Sequence, residues 1–171
     1  MCGVIGINSI DYIDPNIIKK LLEQTRIRGL HATGVSFIYN GRIFSEIVPA
    51  PSTDFRVLDF KIKNFIAHCR YSTSDLEYNQ PIFNENYSIV HNGVASIILN
   101  LKNKSINFFR NEQRPLYYTQ NATTTIIAST FDILKRSGFT NIIKTKPCVD
   151  YMLKDNKITE NIIRESLEDL Q

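Results

Sequence analysis

The chain has 171 residues, 43% hydrophobic and 22% charged, an ordinary globular composition that excludes disorder and collagen-like repeats. Its 20 basic and 17 acidic side chains leave a net charge of +3, too weak a field to argue for a nucleic-acid or membrane-surface partner. Three cysteines without a C-x-x-C pair form neither a disulfide framework nor a zinc signature.

Residues 1–171 read as a single domain with no linker, repeat or low-complexity tract. A domain of this size buries roughly two-thirds of its chain surface, enough for a core without disulfide staples. The N-terminus lacks the basic and apolar regions of a signal peptide, and no stretch approaches ~18 apolar residues, so the expected setting is reducing and cytoplasmic. Lys61 and Lys63, Lys102 and Lys104, and Lys144 and Lys146 alternate with uncharged residues and read as solvated faces.

Val4–Ile7 is a short apolar run that predicts a buried strand almost at the terminus. Asp14-Pro15 then opens a helix, with Asp as N-cap and Pro at the first helical position. Ile17, Ile18, Leu21, Leu22 and Thr25 form its apolar face, and Gly29 is the expected stop. Asn40-Gly41 between Val35–Tyr39 and Arg42–Val48 predicts a tight hairpin. Phe65–His68 and Tyr87–Val90 predict two more strands, each running into an unusual polar segment, HCRYSTSD and HNG. Residues 100–120 show no clean period and read as a long irregular stretch. Asn121 is the candidate cap of a helix over Ala122–Lys135 ending at Gly138, although Thr123, Thr124 and Thr125 are poor helix formers. Cys148–Leu153 predicts a strand, and Ile162, Ile163, Leu167 and Leu170 a closing amphipathic helix. The mixture gives an α+β class, in a layered αββα arrangement.

Cys2 is the sharpest chemical feature. With Met1 removed it becomes the terminal residue, carrying a thiol and an α-amine of reference pKa ~7.7–8.0, near the ideal for a general base at neutral pH. One residue then holds nucleophile and base together. Gly3 and Gly6 allow close backbone approach beside it.

MCGVIGI, RIRGLHATGV, HCRYSTSD, NQPIF and IVHNGV occur in that order. As an ordered set they resemble the glutaminase domain of class II glutamine amidotransferases, the N-terminal-nucleophile family that includes amidophosphoribosyltransferase, glucosamine-6-phosphate synthase and asparagine synthetase. The resemblance is good over residues 1–95 and loose beyond. It implies a four-layer αββα sandwich of two antiparallel sheets, in a trimmed version, acting on L-glutamine without metal or organic cofactor. It also implies a separate synthase partner that accepts the ammonia.

Carried over residue by residue, the resemblance makes Cys2 the nucleophile on the glutamine carboxamide, and the Asn92 side chain and Gly93 N–H the oxyanion hole. Two neutral donors aimed at a developing O⁻ are worth about 3–4 kcal/mol each. Arg70 matches the grip on the substrate α-carboxylate, for which a planar guanidinium suits bidentate contact, and Thr73 a substrate-contacting position in the same loop. Arg28 and Gly29 match an Arg-Gly pair that shapes the nucleophile's pocket. His31, His68, His91, Cys69 and Cys148 match no metal-ligand spacing, and His68 and His91 read as packed structural histidines.

The sequence departs from the family where an Asp in a Ser-Asp-x-Glu-like segment meets the substrate ammonium. Laid on NATTTIIA, that Asp falls on Thr123 and the Glu on Thr125; a hydroxyl in place of the carboxylate forfeits a charge-assisted hydrogen bond of ~1.5–3 kcal/mol. Three readings follow. The chain is a glutaminase feeding a separate synthase, an N-terminal-nucleophile amidase for another amide, or a catalytically silent binding module on the same fold.

Overall fold

The computed structural model describes residues 2–52, 61–71 and 79–164. In chain order, β1 (Gly3–Ser9) leads into α1 (Pro15–Thr25) and a 3-10 turn (Arg26–Arg28), followed by β2 (Ala32–Tyr39), β3 (Arg42–Val48) and β4 (Asn64–Arg70). Then come β5 (Ile82–Phe83), β6 (Tyr87–Asn92), β7 (Ala95–Asn100), β8 (Ser105–Phe109), β9 (Tyr117–Gln120) and β10 (Thr124–Ala128). The chain continues through α2 (Phe131–Arg136), β11 (Ile143–Lys144), β12 (Val149–Lys154) and β13 (Lys157–Ile162).

The strands form two antiparallel sheets. One has the order β11-β9-β10-β1-β4-β2-β3 and the other β13-β12-β8-β7-β6-β5. Strand β1 lies at the centre of the first sheet, between β10 and β4, and all seven of its residues are buried. Because successive side chains of a strand point to opposite faces, β1 serves two cores. Ile5 and Ile7 pack with Leu21 and Leu22 of α1 and Ile133 and Leu134 of α2. Val4 packs with Ile66, Val90, Ile97 and Phe108 between the sheets.

Helix α1 starts where Asp14 accepts a hydrogen bond from the Asn16 N–H at 2.9 Å with Pro15 in the first turn, as its sequence dictates. Its buried Ile18, Leu21 and Leu22 each contribute about 1.5–3 kcal/mol on leaving water. The 3-10 turn intervenes before Gly29. There an added Cβ would lie 2.4 Å from the Cys69 carbonyl oxygen, so Gly29 lets this turn press directly onto the β4 backbone.

The two-sheet sandwich is the expected architecture, with both helices on the outer face of the first sheet. Among the described residues no helix covers the outer face of the second sheet. Three local expectations are corrected. Residues 100–120 contain the strands β8 and β9, with Ile106 and Phe108 of β8 alternating into the inter-sheet core. The stretch read as one helix is β10 followed by the short α2; Thr124 and Thr125 are buried in an interior strand of the sheet, where β-branched residues pack well. Ile162 ends β13 rather than opening a helix, while Leu167 and Leu170 lie outside the described residues.

Candidate active site

Cys2 precedes β1 and shares the strand face of Val4 and Gly6, the face turned toward the second sheet. It is half-buried, and its thiol is free. Across the gap, β6 ends at Asn92, whose Nδ2 donates to the Cys2 carbonyl oxygen at 3.0 Å. A side-chain amide has two N–H donors, so one fixes residue 2 and the second remains to be aimed beside it. Gly93 follows with φ +61°, a left-handed conformation that favours glycine. The Arg114 side chain lies over it, so that an added Cβ would sit 2.8 Å from Arg114 Nε. The guanidinium of Arg114 thus caps the turn holding both candidate oxyanion donors, a feature the sequence motifs did not disclose.

Arg70 ends β4, paired with Ala32 of β2, and its Nη1 donates to Asn79 Oδ1 at 2.9 Å. Its carbonyl accepts from the His31 N–H at 3.0 Å, and the His31 ring meets Tyr71 edge-on at 5.1 Å. Gln80 ties this region to the second sheet: its Oε1 accepts from the His91 N–H at 2.6 Å and its Nε2 donates to the His91 carbonyl at 3.2 Å. The Arg28 stem and Thr25 methyl flank Gly3, where an added Cβ would lie 3.0 Å from Arg28 Cβ and 2.5 Å from Thr25 Cγ2. Arg28 and Gly29 therefore wall the helix side of the same sheet end. Cys2, Asn92, Gly93, Arg70, Arg28 and Gly29 all belong to this one end of the sandwich.

Thr123 does not. Its carbonyl accepts from the Ile10 N–H at 2.9 Å and the Ser9 hydroxyl at 3.2 Å. That is the far end of seven-residue β1, roughly 20 Å from Cys2 at ~3.3 Å per residue. Thr123 and Thr125 are thus remote from the thiol, and Thr73 lies outside the described residues. Antiparallel pairing instead carries Ser129 alongside Val4, two residues from Cys2: Ser129 N–H donates to the Val4 carbonyl at 3.0 Å, and Val4 N–H to Ser129 Oγ at 3.1 Å. The following Thr130 and Asp132 line, with Gln24, Arg28 and Arg136, a cavity of about 140 Å³. The segment that follows β10 to the Cys2 end of β1 is therefore Ser129–Asp132. The sequence signal for it was the Thr130 cap of α2, whose Oγ1 accepts from Ile133 N–H.

Two buried titratable groups sit just behind this end. Burial pushes the Cys69 thiol up to about 12, against smaller opposing pulls from the Ser52 and Thr33 hydroxyls, so it stays protonated and a poor nucleophile near neutral pH. His68, on the inter-sheet face of β4, is 1% exposed and its Nε2 has no hydrogen-bond partner among the described residues. Burial, then the nearby His91 and Arg70 charges, lower its pKa from 6.5 to about 3. Among the described residues no three His, Cys, Asp or Glu side chains are grouped to hold a metal ion.

The neutral His68 has a consequence for stability. Between pH 6.5 and about 3 the unfolded chain takes up a proton that the native state refuses, so stability falls as pH falls through that window. The melting temperature is expected to drop between pH 7 and 4 by more in the native chain than in His68→Gln. Parallel pH profiles for the two would remove His68 as the cause.

No protein-family model matches this chain, and no curated protein matches it in sequence. Solved structures do match. The glutamine phosphoribosylpyrophosphate (PRPP) amidotransferase from B. subtilis, complexed with ADP and GMP, superposes with a TM-score of 0.79 at 16% identity, over 95% of this chain and 49% of that one. A structure described as the allosteric regulatory enzyme of purine biosynthesis gives a TM-score of 0.75 at 16% identity with the same coverage. The chain spans about half the length of these neighbours. At this identity the likeness is one of fold: the chain has the antiparallel two-sheet sandwich found in a glutamine amidotransferase. No helix among the described residues is long and apolar enough to cross a membrane.

Proposed function

We propose that this chain hydrolyses the side-chain amide of L-glutamine through Cys2 and supplies the ammonia to a separate synthase. The observation that carries the reading is the 3.0 Å bond from Asn92 Nδ2 to the Cys2 carbonyl. It joins residues 90 apart in sequence and from opposite sheets, putting the thiol-bearing residue beside a side-chain amide and a left-handed glycine. The amidotransferase fold supports it.

The reaction is acyl transfer. With Met1 removed, the Cys2 α-amine takes the thiol proton through a water, and sulfur attacks the carboxamide carbon. Negative charge develops on the carbonyl oxygen, which the second Asn92 N–H and the Gly93 N–H stabilise. The protonated amine returns its proton to the leaving nitrogen, the C–N bond breaks and ammonia departs. Water, deprotonated by the same amine, attacks the thioester and releases glutamate and the free thiol. Arg70 holds the substrate α-carboxylate by a bidentate contact.

Ammonia release from L-glutamine, using protein whose intact mass shows Met1 gone, tests this. Turnover that Cys2 alkylation eliminates supports the proposal. Turnover of other amides but not glutamine transfers the chemistry to a different substrate, and no turnover of any amide overturns it. Arg70→Lys is expected to raise KM about tenfold with little change in kcat, because it weakens a contact made equally in ground and transition states. An unchanged KM would remove Arg70 from the carboxylate site.

A further inference from the structure

The sandwich has a second concave end, at the pole opposite Cys2. There the Tyr39–Gly41 hairpin, the Lys61–Asn64 lead into β4, Tyr12 beyond β1 and Lys104 in the β7–β8 turn surround a cavity of about 630 Å³, within the usual range for small-molecule sites. We infer that this cleft binds a small molecule bearing a diphosphate or longer polyphosphate group, through Lys61, Lys63, Lys104 and Asn64.

Charge and geometry both carry this. Lys61 and Lys63 flank Ile62, which is 4% exposed, in the non-strand lead into β4. Their Nζ atoms lie 5.8 and 5.5 Å from the centroid of the Tyr12 ring, close enough for the ring to draw both cations to one place. Lys104 approaches from the other sheet. None of the three forms an ion pair with a described residue, and no acidic side chain is among the described residues that line the cavity. Three like charges around one cleft repel one another, a penalty that a multivalent anion reverses.

Asn64 adds a polarity argument. It is 7% exposed, and its Oδ1 already accepts from Asn8 Nδ2 at 2.7 Å, so what it has left to offer is its NH₂ donor. The described lining therefore presents cations and an amide donor, a set matched to phosphate oxygens. Glutamine, a zwitterion with no net charge, does not meet that requirement. The lysines that the sequence presents as separate solvated pairs converge only because the two sheets end at the same pole.

Isothermal titration calorimetry of the intact chain, with sodium pyrophosphate and separately with ADP, tests the proposal. Saturable one-to-one binding is expected at about 20 mM ionic strength, weakening severalfold at about 200 mM as screening shortens. Lys63→Gln combined with Lys104→Gln is expected to weaken it about tenfold, whereas the pair of arginine substitutions retains it, all with unchanged melting temperature. ADP binding more tightly than pyrophosphate assigns the tyrosines a role with a nucleotide ring; equal affinities assign recognition to the phosphates alone. Absence of saturable binding by either probe, or affinity that the glutamine substitutions leave intact, overturns the proposal.

Discussion

Replacing Cys2 by Ala is expected to bring ammonia release from glutamine down to background, a loss of at least about 10³-fold, while leaving the fold in place. The catalytic loss follows from removing the attacking atom: no thioester forms, and the remaining donors have no covalent intermediate to stabilise. The structural tolerance follows from how residue 2 is held. Asn92 binds its carbonyl oxygen rather than its thiol, and that bond survives the substitution. Removing one half-buried sulfur is expected to cost under ~1 kcal/mol, within the range of ordinary substitutions. Cys69 offers no substitute nucleophile, since it is fully buried, points to the helix side and has its pKa pushed up to about 12. Ammonia release and thermal melting measured on the same preparation separate the two effects. Retained turnover with an unchanged melting temperature would show that the nucleophile lies elsewhere.

How much of this was legible in the sequence depended on whether the signal was local. The Asp14-Pro15 cap and the Asn40-Gly41 turn, with φ of +49° and +70°, were readable because a few adjacent residues dictate their own backbone. Strand β10 was misread as helix because all five of its residues are buried, and a strand buried on both faces shows no alternation to distinguish it from helix. Strands β8 and β9 were hidden for another reason: their tyrosines, phenylalanines and polar residues resemble an irregular loop until Tyr118, Tyr151 and Phe108 are seen packed together. The candidate site divides in the same way. Cys2, Arg70 and Asn92-Gly93 are parts of short motifs in a fixed order. Arg114 and Ser129 reach this end only through packing and cross-strand register, the latter over 125 residues of separation. The place of Thr123 shows what register decides: the six positions from Ser129 back to Thr123 lead from the Cys2 end of β1 to the opposite pole.

Asn92→Ala carries the second large expected effect, a fall in kcat of about 10²–10³ from loss of one oxyanion donor. KM is expected to change little, because the negative oxygen that this donor meets exists only in the transition state and the tetrahedral intermediate. Stability enters separately: Asn92 also anchors residue 2 to the second sheet through the 3.0 Å bond to its carbonyl, and losing that neutral hydrogen bond is expected to cost about 1 kcal/mol. Asn92→Asp distinguishes the roles. It keeps the side-chain shape but replaces the donor by a charged acceptor facing both the Cys2 carbonyl and the developing oxyanion, so turnover is expected to fall at least as far as in the alanine variant. A merely structural Asn92 would instead lower the melting temperature of both variants while the folded fraction kept its native kcat. That result, in steady-state kinetics normalised to folded protein, would remove the β6–β7 turn from the catalytic machinery. A depressed kcat with native KM would assign Asn92 to the transition state, with Arg114 packed over Gly93 as the support that holds the turn in its left-handed conformation.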